Sequence, residues 1–358
     1  MWLPPETPLE PTASALLAAN GKVDVLDEQH ALALWLGAGD FGELAEILDK
    51  HLGASGLANV RAVYMEGNAS PSWRDLAHAR PLGDYVAAQR ALWLLELVEN
   101  NRLTSHFQPI TYAQDTSRVF AQEALLRAVD SDGKLVPPFR MFGAARAAGM
   151  LDMLDGHARS TALREAVRHN LHHRIFINLN PASIGDPAAL DSTLELVRTL
   201  GLKREQVVFE LVESDHGVSG ASLEALRAYF TAEGFKLALD DLGSGYSSLN
   251  LIHRLRPDYI KLDMDLIRDV HEDPYKARIT SKILELAQDL GIETIAEGVE
   301  TLGELRWLRA RGATYLQGYL IAKPTSPPNL APAQIASEDE DIVLESTVPV
   351  PITTKTVA

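Results

Sequence analysis

Cysteine is absent from the 358 residues, which excludes disulfides and thiolate-held metals. Bases are scarce: Lys and Arg number 33 against 49 Asp and Glu, for a net charge of −16. That balance argues against DNA or another extended nucleic-acid partner, because phosphate backbones are held by Lys and Arg. It leaves room for a small anionic ligand held through metal ions. Long apolar runs are lacking too. ALWLLELV (91–98) is far short of the roughly 18 residues that span a bilayer, and no basic segment with an apolar core follows Met1. The expectation is a cytoplasmic protein with no membrane span. A hydrophobic fraction of 46% is ordinary for a chain with a sizeable core.

The chain divides by composition. Residues 1–14 (MWLPPETPLEPTAS) are rich in Pro, Thr and Glu and are expected to form a flexible arm. A small α/β or α-rich domain follows over 15–83. There KVDVLD and NVRAVYME read as strands, and ALALWLGAG and DFGELAEILDKHL as helices. GNASPSW breaks the pattern with turn residues. DYVAAQRALWLLELVENN (84–101) predicts one linking helix. Residues 329–358, acidic and then rich in Pro and Thr, are expected to be disordered.

Between 104 and 324 eight short β-type runs recur: SHFQPI, VFAQEALLR, RIFINLN, QVVFELVE, FKLALDD, DYIKLD, IETIAEGVE and TYLQGYL. Helical stretches such as SLEALRAYFTAEG and ARITSKILELAQDLG fill most of the gaps, which suggests a (β/α)8 barrel. The first gap, TYAQDTSR, is too short for a crossover helix, so the first strand should pair antiparallel with the second.

Catalytic groups of such barrels sit at the C-terminal ends of the strands. Those ends carry Glu123, Asn178, Glu210, Asp240 with Asp241, Lys261 with Asp263, Glu297 with Glu300, and Gln317. Carboxylates converging on one mouth repel by roughly 4 kcal/mol per close pair at an effective dielectric near 20. Cations relieve that repulsion. An all-oxygen set suits Mg²⁺ or Mn²⁺, and two such ions would serve a phosphoester hydrolysis. Singly, each residue has a plainer reading: a strand-end Glu as an ion-pair partner, Asp240-Asp241 as a helix cap, Lys261 as a solvated lysine. Two-carboxylate glycoside hydrolysis leaves the Asn, the Lys and the paired Asp without a role.

The motifs EALLR (123–127), INLNP with Asn178, FELVES with Glu210 and Glu213, DDLGSGYSSL, IKLD, AEGVET and QGYLIAKP occur in this order. Together they resemble the EAL domain family of cyclic di-GMP phosphodiesterases. The triplet alone would carry no weight. The resemblance implies a phosphodiesterase domain over 102–328 with a modified TIM (β/α)8 barrel whose first strand is antiparallel. It also implies hydrolysis of cyclic di-GMP, a bacterial second messenger, to linear pGpG. By the same resemblance, Glu123, Asn178, Glu210 and Asp240 would hold one Mg²⁺ or Mn²⁺, and Asp240, Asp241 and Glu297 a second. Lys261 would position the hydrolytic water, with Glu300 and Gln317 in support, and Gln108, Leu126 and Arg127 would contact the dinucleotide. Glu213 would anchor the loop DDLGSGYSS, which the family links to homodimer formation. Ala128, Asn180, Val212, Leu242 and Ser244 depart from common family residues; none is a ligand position. The alternative is a catalytically weak or inactive cyclic di-GMP receptor that signals through its N-terminal domain, a candidate regulatory unit or dock for a protein partner.

Overall fold

In the computed structural model, the described residues are 1–3, 12–14, 23–26, 31–34, 41–64, 74, 77–180, 190–212, 220–243 and 248–335. The N-terminal unit begins with β1 (Val23–Leu26) and β2 (Ala31–Leu34), which pair antiparallel. The helix expected over ALALWLGAG is thus corrected at Ala31–Leu34, where the β1 backbone finds its hydrogen-bonding partner. Helix α1 (Phe41–Asn59) buries Leu44, Ala45 and Leu48 and bends at Gly53, whose φ of 63° interrupts the helical geometry. Of NVRAVYME only Arg61–Ala62 forms a strand, β3, paired with β4 (Arg80–Pro81).

The N-terminal segment is not wholly the free arm its composition predicts. Trp2 bridges Arg61, the Met1 amino group donates to Leu32 O at 2.9 Å, and Leu3 is buried in the core of the unit. Residues 4–11 lie outside the described set.

The single linking helix is also corrected. The segment is two helices, α2 (Leu82–Arg90) and α3 (Leu92–Glu99), separated at Ala91. The two halves serve different cores. Leu82 and Val86 pack with Leu44 and Leu48, whereas Leu94 and Leu97 pack with Leu126, Met141 and Leu154 of the following domain.

That domain is a closed barrel. Strands β5 (Leu103–Tyr112) and β6 (Asp115–Val129) form an antiparallel hairpin, and β7 (Leu135–Val136) extends β6 at its far end. Strands β8 (Arg174–Leu179), β9 (Val207–Val212), β10 (Lys236–Leu242), β11 (Tyr259–Leu262), β12 (Glu293–Ala296) and β13 (Tyr315–Leu316) continue in parallel from β6. Closure occurs where β13 meets β5, again antiparallel. The first strand is therefore reversed against both neighbours, as the short first gap demands.

Period-two alternation explains the interior. Ala121, Phe176, Val208, Ala238, Tyr259, Ile295 and Tyr315 form one apolar cluster with Ile110 and Phe120. Two residues further along each parallel strand stand Glu123, Asn178, Glu210, Asp240, Lys261, Glu297 and Gln317. On reversed β5 the offset changes sign, and Gln108 precedes Ile110 by two. An apolar layer thus carries a polar layer directly above it. The odd-numbered neighbours Ile175, Ile177, Phe209, Leu237 and Leu239 pack outward in the shell that meets the helices.

Beyond β13 the chain runs back along the barrel. Asn329 O accepts from Gln122, Ile335 N–H donates to the Thr116 hydroxyl at 2.8 Å, and Arg309 reaches Ile335 O. The stretch 329–335 is therefore held, against the expectation of disorder from 329 onward. Hydrogen-bonding partners outside its own composition decide this; 336–358 lie outside the described residues. Among the described residues no helix is long and apolar enough to cross a membrane.

Candidate active site

The polar layer converges on one side chain. Lys261, 1% exposed, places its Nζ 2.5 Å from Glu297, 2.7 Å from Glu210, 3.0 Å from Asp240 and 3.6 Å from Glu123. Burial alone would lower its pKa, but the four carboxylates outweigh that and hold it well above the ordinary lysine value. The ammonium is a fixed positive charge. It does not suffice for the acids around it: burial first, then the neighbouring carboxylates, push Glu210 and Glu297 well above the usual range even with Lys261 opposing.

Asp241 joins them through a backbone irregularity. Adjacent residues of a regular strand face opposite ways. Between Leu239 and Leu242, however, three steps on β10 oppose two on β11, and Asp241 adopts φ 56°. This bulge lets both aspartates face the mouth. Asp240, Asp241 and Glu297 each offer an oxygen within 4.8 Å of the others. Burial, then the Asp240 charge, raises the Asp241 pKa to about 6.

A divalent cation fits this donor set. Four carboxylates share one ammonium with Asp241 beside them; Glu210 Oε1 and Asp240 Oδ1 meet only Lys261, and Glu210 Oε2 and Gln317 Oε1 are buried without a hydrogen-bond partner. Buried acceptors of this kind are costly unless paired, and hard oxygen ligands without sulfur or imidazole favour Mg²⁺ or Mn²⁺.

Gln317 ties the layer together. Its Nε2 donates to Glu123 Oε2 at 2.5 Å and to Gln108 Oε1 at 3.3 Å, and Gln108 in turn donates to Ala322 O. The backbone locks it in place: Gln317 N–H donates to Ala296 O at 2.9 Å, and Val299 N–H to Gln317 O at 3.1 Å. A Cβ on the next residue, Gly318, would collide with the Val299 backbone, so only glycine permits this approach.

Beside the acids lies a cavity of about 310 Å³ whose wall includes Leu126, Arg127 and Asn178. The half-buried Arg127 donates to Leu126 O at 2.8 Å. Opposite it stands a buried pair that sequence reading did not single out, Asp155 and Arg159 on the helix Leu151–Arg168, which also line the cavity. Burial raises the Asp155 pKa to about 6 against the pull of Arg159 and of the Asn180 N–H. An Asp and an Arg four residues apart, on the apolar face of LDMLDGHARSTAL, was the available signal.

Other predicted residues lie elsewhere. Glu123 is mid-strand rather than at a strand end, because the hairpin and β7 carry β6 on to Val129. Glu300 is not among the acids around Lys261; it pairs with Arg268 at 2.5 Å, which lowers its pKa. Asp263 caps the helix Met264–Ile267. Glu213, Ser244 and loop residues 244–247 fall outside the described residues.

Comparison with known proteins matches this geometry to a family. The model of the EAL domain matches residues 89–324. The chain is 30% identical over 241 residues to cyclic di-GMP phosphodiesterase PdeR of Escherichia coli, covering 65% of this chain and 36% of that protein. It is 31% identical over 235 residues to cyclic di-GMP phosphodiesterase NbdA of Pseudomonas aeruginosa, covering 64% and 30%. The chain thus spans about a third of the length of these relatives. Among solved structures, the manganese/cyclic di-GMP complex of Klebsiella pneumoniae BlrP1 superimposes with a TM-score of 0.57 at 34% identity, covering 62% of this chain and 56% of that one. A standalone EAL protein of Vibrio cholerae in its c-di-GMP-bound form gives 0.57 at 32% identity, covering 62% and 92%.

Proposed function

This chain belongs to the EAL domain family, and from that premise we propose that it hydrolyses cyclic di-GMP to linear pGpG with the help of two Mg²⁺ or Mn²⁺ ions. The observation that carries the reading is the convergence of four carboxylates on one buried ammonium, with Asp241 beside them, next to a cavity that offers Arg127. Glu123, Asn178, Glu210 and Asp240 would hold one ion, and Asp240, Asp241 and Glu297 the other. Bound there, the ions would polarise the scissile phosphate and ease deprotonation of water.

The protein's own groups supply the rest. Lys261 stays protonated among the acids, so it acts as a donor: it orients the attacking water or neutralises a phosphoryl oxygen, and does not serve as the base. Gln317 donates to Glu123 Oε2 and so helps to orient that carboxylate. Arg127, planar and charged, suits a phosphate oxygen or the face of a guanine. The apolar layer beneath, from Ile110 to Tyr315, closes the floor of the site to water.

The test is incubation of the full chain with cyclic di-GMP and Mn²⁺, products being separated by chromatography, with Glu123→Ala as control. Conversion to pGpG that the variant lacks is the expected result. Binding without conversion would replace the enzyme by a receptor, and neither binding nor conversion would remove the reading altogether.

A further inference from the structure

The opposite mouth of the barrel also holds a cavity. It has a volume of about 510 Å³ and is walled by His172, His173 and Arg174 at the start of β8 and by Lys203, Glu205 and Gln206 ahead of β9. Its inner side is Phe120, which stacks on Tyr315 at 3.8 Å between centroids within the apolar layer. That layer separates this cavity from the acids around Lys261.

Acids stand at this mouth too, for Tyr259 interacts with Asp258 and Glu293 as well as with Arg174, but Asp258 pairs with Lys236 and Glu293 accepts from Tyr315. Among the described residues neither Arg174 nor Lys203 has an ion pair. The guanidinium of Arg174 lies over the Phe120 ring at 5.0 Å, and its Nε is buried without a hydrogen-bond partner. Nδ1 of His173 is likewise buried and unpartnered. Burial, then His172, lowers the pKa of that ring, so it is neutral and can donate from Nδ1. The turn that carries it is fixed, because Gln206 Nε2 donates to both Leu171 O and His173 O at 3.0 Å. The one acid in the wall, Glu205, is exposed and pairs with neither cation.

Unsatisfied buried donors beside unpaired cations call for an anion with several acceptor oxygens. Two positive charges match a dianion. A phosphate monoester carries about −1.5 to −2 at neutral pH and presents three oxygens, whereas a phosphodiester carries a single charge. We propose that the cavity at the N-terminal mouth of the barrel binds a phosphate monoester dianion through Arg174, Lys203 and His173. The inference is independent of the hydrolytic reading. Free orthophosphate and the 5′-phosphate of a nucleotide share this chemistry.

The test is calorimetric titration of the full chain with orthophosphate and with GMP, in metal-free buffer at constant ionic strength. Saturable one-site binding is expected, weakened about tenfold in Arg174→Gln through loss of a charge-assisted contact, and weakened also in Lys203→Ala. A larger affinity for GMP would identify a nucleotide as the source of the phosphate, and equal affinities free phosphate. Absence of saturable binding overturns the proposal. So does binding unchanged in Lys203→Ala, an exposed position whose replacement leaves the fold intact even if Arg174→Gln does not fold.

Discussion

The two mouths of one barrel are built from the same strands and offer different unpaired groups. At the C-terminal mouth, four carboxylates crowd one ammonium with Asp241 beside them, and burial raises the pKa of Glu210, Asp241 and Glu297. At the N-terminal mouth, cations and a neutral His173 face a cavity floored by Phe120. An apolar layer one residue-pair deep lies between them. The difference teaches that strand alternation sets only which residues face inward. What each end can bind is set by the charge that remains unpaired there.

The comparison is broken most severely at Lys261. Lys261→Met removes the only cation in the layer and leaves its carboxylates uncompensated, at a cost of about 3–5 kcal/mol in the metal-free protein. The proposed hydrolysis should fall by about a thousandfold. Thermal melts with and without Mn²⁺ check this: the ion should recover much of the lost stability, and a variant that melts like the parent would mean the acids are already protonated.

Next is the layer between the mouths. Phe120→Ala takes away a ring that stacks on Tyr315 and meets Tyr112, Phe176 and Tyr259, and should destabilise by about 3–5 kcal/mol. Urea midpoints measure it, while KM for the proposed hydrolysis should stay near the parent value.

A pH series sharpens the contrast. Asp241 has its pKa raised to about 6, so below that pH a divalent ion must displace its proton. Mn²⁺ affinity should fall as pH drops through about 6, the Asp241 proton contributing up to about tenfold per unit. Asp241→Asn should flatten the profile and lower the plateau, as read by calorimetry. The sign for stability follows too. An acid with a raised folded pKa binds its proton more tightly when folded, so metal-free stability should rise as pH falls through 6 toward 4.

The smallest effect belongs to the rim. Arg268 and Glu300 are 38% and 39% exposed, and Arg268→Gln should leave the denaturant midpoint nearly unchanged. A larger loss in a denaturant titration would place Glu300 closer to the working site than its ion pair indicates.

Much of the fold was legible because its rules are local. Strand runs, helix gaps and a first gap too short for a crossover predict a barrel with one reversed strand, and an acid two residues after an apolar interior position marks the layer. Elsewhere local pattern misled. ALAL reads as helix until β1 stands beside it, the pattern of the linking helix does not show the break at Ala91, and composition cannot foresee that Thr116 and Arg309 hold Ile335.

The sequence by itself determined the barrel's strands, the acids and their order, since hydrophobic period and residue chemistry are written along the chain. Only the tertiary structure decided that Lys261 sits within reach of four carboxylates, that a bulge turns Asp240 and Asp241 to the same side, and that Asp155 meets Arg159 beside Arg127. Those facts depend on closure and register, which carry Glu123 to Lys261 from more than a hundred residues away along the chain.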